Sequence, residues 1–525
     1  MATKEITATH IFDGGWATAF GPNATGTVIG EDSIVRIPFL VEAEDVLFEL
    51  DGGPRKAPGA TKVNTSVLES GAVIKGLYDF WRQGTAGSPT QRRVAFVNGV
   101  LYAQSASSGS FTSIKTGLTI GSVIDFATFD DLLIIATDTD VPMSWDQTTF
   151  QDLAGSPPNF SFSVKHKNFH FAAGIDATPS RLHFSQQLDP EAWTGGTSGT
   201  IDIDPDDGDR ITGLISHKNE LWIFKGPYKG SIHRITGTSN ADFARTTFIE
   251  GVGAVGHNTI FRFGDDVGFM WSDGSIRSLS VTAAFGDFRE AAISSPIQPY
   301  LDEHLNFSRL QHAWAATAGS GRRVFITVPA DSDTNNTTVL SIDFRFNPPR
   351  WSQMPVYDAG AASLMIDASD NNRQSIYFGG NDGFVRKFGA STRTVEGVGA
   401  LSYKVTTPFL DYGTPDILKT IAGVGLGIQP RNDGNLTFKW QRDGFAQQTE
   451  TIAQGGEAVL GGVTGFTLDT DTLAGDRFLS VWRELDEGGE FRAIQYQLTN
   501  STDNEDVEWH NLSTFFQPGG RSMEN

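Results

Sequence analysis

Ile211-Thr-Gly-Leu-Ile-Ser-His-Lys-Asn-Glu-Leu-Trp-Ile-Phe224 reads as one apolar strand, a polar turn at His217–Glu220 and a second apolar strand. Val123-Ile-Asp-Phe-Ala-Thr-Phe-Asp-Asp-Leu-Leu-Ile-Ile-Ala136 repeats the pattern around Phe129–Asp131, and in both places a further turn and a third apolar segment follow. Outward from these hairpins, leading apolar runs recur near Leu77, Val123, Phe160, Ile211, Ile260, His312 and Leu364. Intervals of roughly 35–50 residues are the length of a four-stranded propeller blade. The units share no sequence signature, and Trp145-Asp146 stands alone as a Trp-Asp pair. Spacing and turn rhythm therefore carry the reading: a degenerate six- or seven-bladed β-propeller over 71–390. Trp145, Trp193, Trp222, Trp271 and Trp351 fall near unit ends, where rings pack between neighbouring sheets.

The flanks have a different texture. Residues 1–70 hold alternating segments at Ile6–Phe12, Ser33–Leu40 and Asp45–Leu50, followed by Asp51-Gly-Gly-Pro-Arg-Lys-Ala-Pro-Gly-Ala-Thr-Lys-Val-Asn64. Gly52 and Gly53 supply a turn, and Pro54 and Pro58 keep the segment out of a sheet interior. Arg55, Lys56, Pro58, Gly59 and Lys62 are then read as an exposed turn, either a rigid solvated loop or an inter-subunit contact arm. After a Gly- and Ser-containing linker, 391–525 carries strand-like runs at Leu401–Thr406, Ile421–Ile428, Asn435–Gln441, Phe478–Trp482 and Phe491–Leu498. Turns at Asn432–Gly434 and Asp486–Gly489 separate some of them. The expected fold is all-β, with a platform or sandwich formed by the N- and C-terminal segments. The tail from Gln517 reads as loose, and Arg289–Phe307 is the best place for short helices.

Composition narrows the function classes. Among 525 residues there are 58 Gly, 38 Phe and no Cys, and charged residues make up 19%. Tight turns and aromatic strands are expected of an all-β chain; thiolate chemistry and disulfides are excluded. No apolar run is long enough for a membrane-spanning helix, and Met-Ala-Thr-Lys-Glu does not begin a secretory signal, so a soluble protein without membrane insertion is expected. The net charge of −22 argues against wrapping nucleic acid, which needs clustered Lys and Arg. An acidic surface does not exclude contact with DNA, because a wall past which DNA slides benefits from repelling it.

Catalytic and metal patterns fit poorly. Asp202-Ile-Asp-Pro-Asp-Asp-Gly-Asp209 is the densest acidic cluster, and Asp202, Asp204, Asp206, Asp207 and Asp209 are weak candidates for calcium. An EF-hand loop would need Gly where Asp207 stands and Glu where Gly213 stands, so a turn between blades is the stronger reading. Ser144–Phe150 begins like a sialidase Asp box but has Thr148 in place of the glycine. The pairs Asp130–Asp131 and Asp265–Asp266 sit in hairpin turns. His166 and His170, four apart, read as facing one side of a single strand. No Gly-x-Ser-x-Gly elbow, zinc motif or phosphate loop occurs. A non-enzyme without cofactors is expected.

Three stretches carry a family resemblance. Asp51–Asn64 resembles a turn in tail proteins of short-tailed bacteriophages, with Arg55-Lys56 as the basic pair and Ala57 where relatives often carry a further basic residue. Asp202–Ile215 with Leu221-Trp-Ile-Phe-Lys225 looks like the acidic-turn, Gly and Phe-Lys line of the same proteins. Pro408-Phe-Leu-Asp-Tyr-Gly413 and Lys419 lie in a C-terminal sandwich, as the order of parts in that family has it. The chain resembles the tail nozzle or tail hub family, also called tail tubular protein B or stabilisation protein. That resemblance implies a homohexamer below the portal and its adaptor (head-tail connector) ring, with tail fibre or distal tail proteins as further partners. It also implies a central channel through which double-stranded DNA passes non-specifically, retained and then released. The location implied is the virion tail, assembled in the host bacterial cytoplasm. A carbohydrate-binding receptor-binding tail component is the alternative, and a propeller glycoside hydrolase a more distant one.

Overall fold

The computed structural model describes residues 6–12, 14–19, 39–50, 53–84, 88–105, 110–120, 123–367, 370–430, 434–454, 479–483 and 490–521. Ser33–Pro38 of the second N-terminal segment, Asp51 and Gly52, Asn432 and Asp433, Phe478, the turn Asp486–Gly489 and the last four residues lie outside them. Two compact units emerge, Thr61–Leu340 with Tyr357–Gly389, and Met1–Ala60 with Ser341–Val356 and Ala390–Asn525.

The first unit is a propeller of seven antiparallel blades in chain order. Their leading strands are Ile74–Arg82, Ile124–Phe129, Phe162–His166, Arg210–His217, Phe261–Phe263, Trp314–Thr317 and Ala359–Asp367. The seventh leading strand packs back against the first, so the sheets close into a ring. Each begins within a few residues of an apolar run expected to open a unit. Blades 1 to 4 have four strands each. Blade 5 has three, and the helix Leu279–Phe285, capped by Ser278 Oγ accepting from Val281 N, follows its last strand. At blade 7, Val63 N donates to Val385 O at 2.8 Å and Val385 N to Asn64 Oδ1 at 2.7 Å. The chain entering the propeller thus edges its last blade, tying the ring across more than 300 residues of sequence.

The decisive hairpin shows why this sequence folds so. Lys218 and Asn219 have φ of 47° and 65°, a two-residue turn whose twist matches the flanking strands. Lys167-Asn168 and Asn98-Gly99 repeat it. In the second strand, alternate residues face opposite sides. Leu221 and Ile223 join a core with Phe169, Phe171, Leu182 and Phe184 of blade 3. Trp222 and Phe224 join another with Val267, Phe269 and Trp271 of blade 5. Both faces are covered, so the strand is apolar throughout, and neither face is covered without a neighbouring blade.

The second unit interleaves both ends of the chain. In one sheet the strand Val507–Arg521 lies between Ile417–Pro430 and Ile6–Ile11, with the register Ile6↔Phe516, and Pro54–Lys56 also pairs with it. The other sheet includes Glu42–Glu44, Tyr403–Thr406, Ile494–Asn500 and Gly434–Arg442. Thr514 Oγ1 donates to Tyr496 Oη at 3.2 Å from one sheet to the other, and Tyr496 stacks on Phe438 at 5.9 Å. Gln517–Arg521 does not hang loose. Gln517 pairs with Thr420 and Pro518 with Lys419, because the long partner strand offers its edge that far. Arg289–Phe307 holds two 3-10 turns and the helix Gln298–His304. Among the described residues no helix is long and apolar enough to cross a membrane.

Candidate functional site

The first residues of the leading strands converge on the propeller axis, where the 3-10 turn His257–Thr259 crosses between blades. Asn258 Nδ2 donates to Ile124 O of blade 2 at 3.1 Å, and His257 Nε2 lies 3.4 Å from Asp125 Oδ1 of the same blade. Leu214 N of blade 4 donates to His257 Nδ1 at 3.2 Å. A ring nitrogen that accepts leaves the proton on the other, so Nε2–H faces Asp125. Phe162 of blade 3 stacks on the imidazole, 4.9 Å between centroids and 8° from parallel. Gly213 makes the approach possible, since a Cβ there would lie 2.2 Å from Ile260 Cδ1. Blade 2 and the turn before blade 5 face one another across a seven-membered ring, so the turn spans the axial opening.

Asp125 is buried, and burial pushes its carboxyl up while His257 opposes the shift. Its Oδ2 accepts from Ser163 N at 2.9 Å. Among the nearby hydroxyls, Ser161 donates to Gly174 O and Thr212 to Ala254 O, while Ser163 Oγ is buried without a hydrogen-bond partner. The Asp125–His257 pair, through Ser163 N and Leu214 N, ties blades 2, 3 and 4 together. A cavity of about 400 Å³ opens on one side of the turn, lined by Asp125, Phe162, Arg210, Phe307 and Gln311 among others. A smaller one, of about 30 Å³, shares Val123 and Asn258 with it and is lined by Lys75, Arg309 and His312.

The acidic cluster is a turn between blades 3 and 4, and its carboxylates diverge. Asp202 pairs with Arg181 at 2.6 Å, and Asp204 pairs with Arg245. Asp209 accepts from the backbone N–H groups of Tyr228, Lys229 and Gly230 at 2.7–2.9 Å. Asp206 is exposed. The buried Lys225 ammonium donates to Asp207 Oδ2 at 2.7 Å, Ile203 O at 2.7 Å, Asp204 O at 2.8 Å and Ser180 Oγ at 3.2 Å. A lysine therefore holds the centre that a cation would need. The acidic turn and the strand ending Phe224-Lys225, matched together in the family resemblance, form one structural unit. Among the described residues no three His, Asp or Glu side chains gather as a metal site.

Residues Arg55 to Lys62 do not form an exposed arm. Val46–Phe48 and Pro54–Lys56 pair as a hairpin, with Leu47 opposite Arg55. The Arg55 guanidinium binds Asp506 at 2.5 Å and Glu49 at 3.2 Å, and Asp506 holds it firmly protonated. Arg393 shares the same Asp506. Lys56 is 1% exposed, donates to Asn500 Oδ1 at 2.7 Å and Thr502 O at 2.9 Å, and is pushed down to about 8 by burial. Pro58 is half-buried, and Gly59 is packed so tightly that a Cβ would lie 2.2 Å from Thr394 O. Lys62 lies over the Phe384 ring at 3.6 Å. The charges that read as surface contacts meet buried carboxylates and carbonyls brought from about residue 500.

The two histidines are not on one strand. His166 ends Phe162–His166 and His170 sits in Phe169–Ala173, with the turn Lys167-Asn168 between them. His166 Nδ1 bonds Ser216 Oγ at 2.8 Å, whereas His170 is enclosed by Phe160 and Trp193. Asp146 of the Asp-box-like stretch accepts from the N–H groups of Thr148 and Thr149, a local turn contact. Sequence reading passed over His257 and Asn258, because their partners at Ile124 and Asp125 lie over 130 residues away and neither residue belongs to a motif.

Together these features define a seven-bladed β-propeller whose axial mouth is crossed by the turn His257–Thr259, joined in one chain to a β-sandwich made from both chain ends. No family model and no curated protein matches the sequence. Among solved structures, the computationally designed Ika8 protein is similar over 61% of this chain and 98% of its own, at 12% identity and a TM-score of 0.34. YCF48 bound to D1 peptide is similar over 63% and 97%, at 9% identity and a TM-score of 0.39. The N-terminal domain of Nup159 is similar over 66% and 98%, at 11% identity and a TM-score of 0.35. None of the three is similar enough to carry a statement about ligand, partner or activity.

Proposed function

We propose that this chain is a structural virion protein of a bacteriophage tail: a nozzle or hub subunit, without catalytic activity, that forms a homohexameric ring below the portal and adaptor. Six copies surround the channel through which double-stranded DNA is retained and then released, and distal tail proteins or fibres attach to the ring. The observation that carries the reading is the turn His257–Thr259 tied across the axial opening. An axis obstructed in this way supports a role as a wall element, with the DNA conduit lying between copies. The interleaved chain ends support a single platform of the kind that the family resemblance implies, and the net charge of −22 suits a wall that does not hold DNA.

Size-exclusion chromatography with light scattering, with and without the cognate adaptor, tests the assembly, and negative-stain microscopy tests its symmetry. Six-fold rings are expected. A chain that remains monomeric in the presence of adaptor, or forms trimers that bind glycan arrays, would replace this reading with that of a receptor-binding component. A strongly basic inner surface of the assembled ring would overturn the sliding wall and leave the hub assignment standing.

A further inference from the structure

We propose that the smaller cavity at the propeller mouth binds a tetrahedral oxyanion of the phosphate class, held by Lys75, Arg309 and His312. All three line that cavity, together with Asn258, Trp314 and Asn335. Lys75 comes from the leading strand of blade 1, while Arg309 and His312 lie three apart on the 3-10 segment Phe307–His312. Side chains three apart on such a segment eclipse one another, so both face the same way.

These three half-buried bases differ from the buried cations of this acidic chain in lacking an acceptor. Lys56 and Lys225 are saturated by oxygens, and Arg386 pairs with Asp382. Among the described residues, the side chains of Lys75, Arg309 and His312 make no hydrogen bond and no ion pair, and Arg309 Nε is buried without an acceptor. Burial and the Arg309 charge push both Lys75 and His312 down, and Asp138 is the weak opposing influence on Lys75. The like charges of Lys75 and Arg309 repel one another across this small space, and an anion between them relieves the repulsion. The cavity of about 30 Å³ holds about two waters at roughly 10–15 Å³ each. That room suits a small ion and not a nucleotide or sugar ring. A guanidinium fork beside an ammonium matches the several oxygens of a tetrahedral anion better than a single carboxylate.

Calorimetric titration of the full chain with inorganic phosphate, at constant ionic strength set by chloride, tests the proposal, with sulfate and acetate as parallel arms. Saturable one-site binding of phosphate and sulfate is expected, with acetate much weaker. Arg309→Gln and Lys75→Met should each weaken phosphate by at least about tenfold. Phosphate should also raise the melting temperature of the wild type in a saturable way, and Lys75→Met without phosphate should melt no lower than wild type, because a repulsion is removed. This last readout stands even where Arg309→Gln fails to fold. Absence of saturable phosphate binding, equal binding of acetate, or unchanged binding by both variants would each overturn the proposal. None of these outcomes depends on the oligomeric state, so the hub reading stands or falls separately.

Discussion

Replacing Lys225 by Met isolates the tie that shapes the turn between blades 3 and 4. The ammonium has no exposed surface and serves two carbonyls, a hydroxyl and the Asp207 carboxylate, whose side chain is 25% exposed. Removing one partner of a buried charge pair costs about 3–5 kcal/mol. Water reaches the partly exposed Asp207, which favours the low end, while each carbonyl losing its donor adds about 1 kcal/mol. The sum is about 5 kcal/mol. For a unit of roughly 300 residues, an unfolding entropy of about 2.1 cal/mol/K per residue makes this a fall of about 8 °C in melting temperature. Differential scanning calorimetry of wild type and Lys225→Met measures it, and amide hydrogen exchange should show the loss concentrated at Ile203–Asp209. A fall under about 1 °C, or a wild type that calcium stabilises, would refute the view that lysine holds the centre of this turn.

Gly59→Ala should destabilise the sandwich by about 1–3 kcal/mol, because the added Cβ meets the backbone oxygens of Thr394 and Thr392, which cannot swing away; chemical denaturation followed by amide hydrogen exchange of Val507–Arg521 reads this. Asp45, pushed by burial from its ordinary 3.8 to about 7, has an Oδ1 with no hydrogen-bond partner. A raised folded-state pKa means stability that is present below 3.8 and lost as pH rises through about 7. Asp45→Asn, which keeps an acceptor for Ser402 N and tolerates φ 49°, should therefore raise the melting temperature at pH above 7 and leave it unchanged near pH 4. In the propeller, burial lowers His166, His170 and His233 from 6.5 to about 4. Their contribution is present above pH 6.5 and lost as pH falls towards 4. Melting temperature should drop across that window, and His170→Gln should flatten the drop.

Much of the fold was written in local pattern. Blade positions were legible because each leading strand and its hairpin carry their own signal: period-2 or fully apolar runs punctuated by residues that accept positive φ, such as Lys218-Asn219. Short-range spacing also exposed the acidic turn between blades. Ser341–Val356, inside the stretch read as propeller, clusters with the chain ends instead, and nothing local distinguishes its strand Arg350–Met354 from a blade strand. Arg55 and Lys56 looked like surface charges for the same reason, since a window of ten residues does not contain Asp506, Asn500 or Thr502.

By itself, then, the sequence determined that the chain is all-β, where the blades begin, and that thiolate chemistry is excluded. Tertiary structure alone decided what each charge does. Lys56 and Lys225 are buried structural cations, His257 is a clamp across the axis, and Lys75, Arg309 and His312 line one cavity. The physical reason is one of range. A strand's apolar periodicity acts between residues two apart, whereas the energy of a buried charge depends on every group packed around it, and ring closure brings those groups from hundreds of residues away.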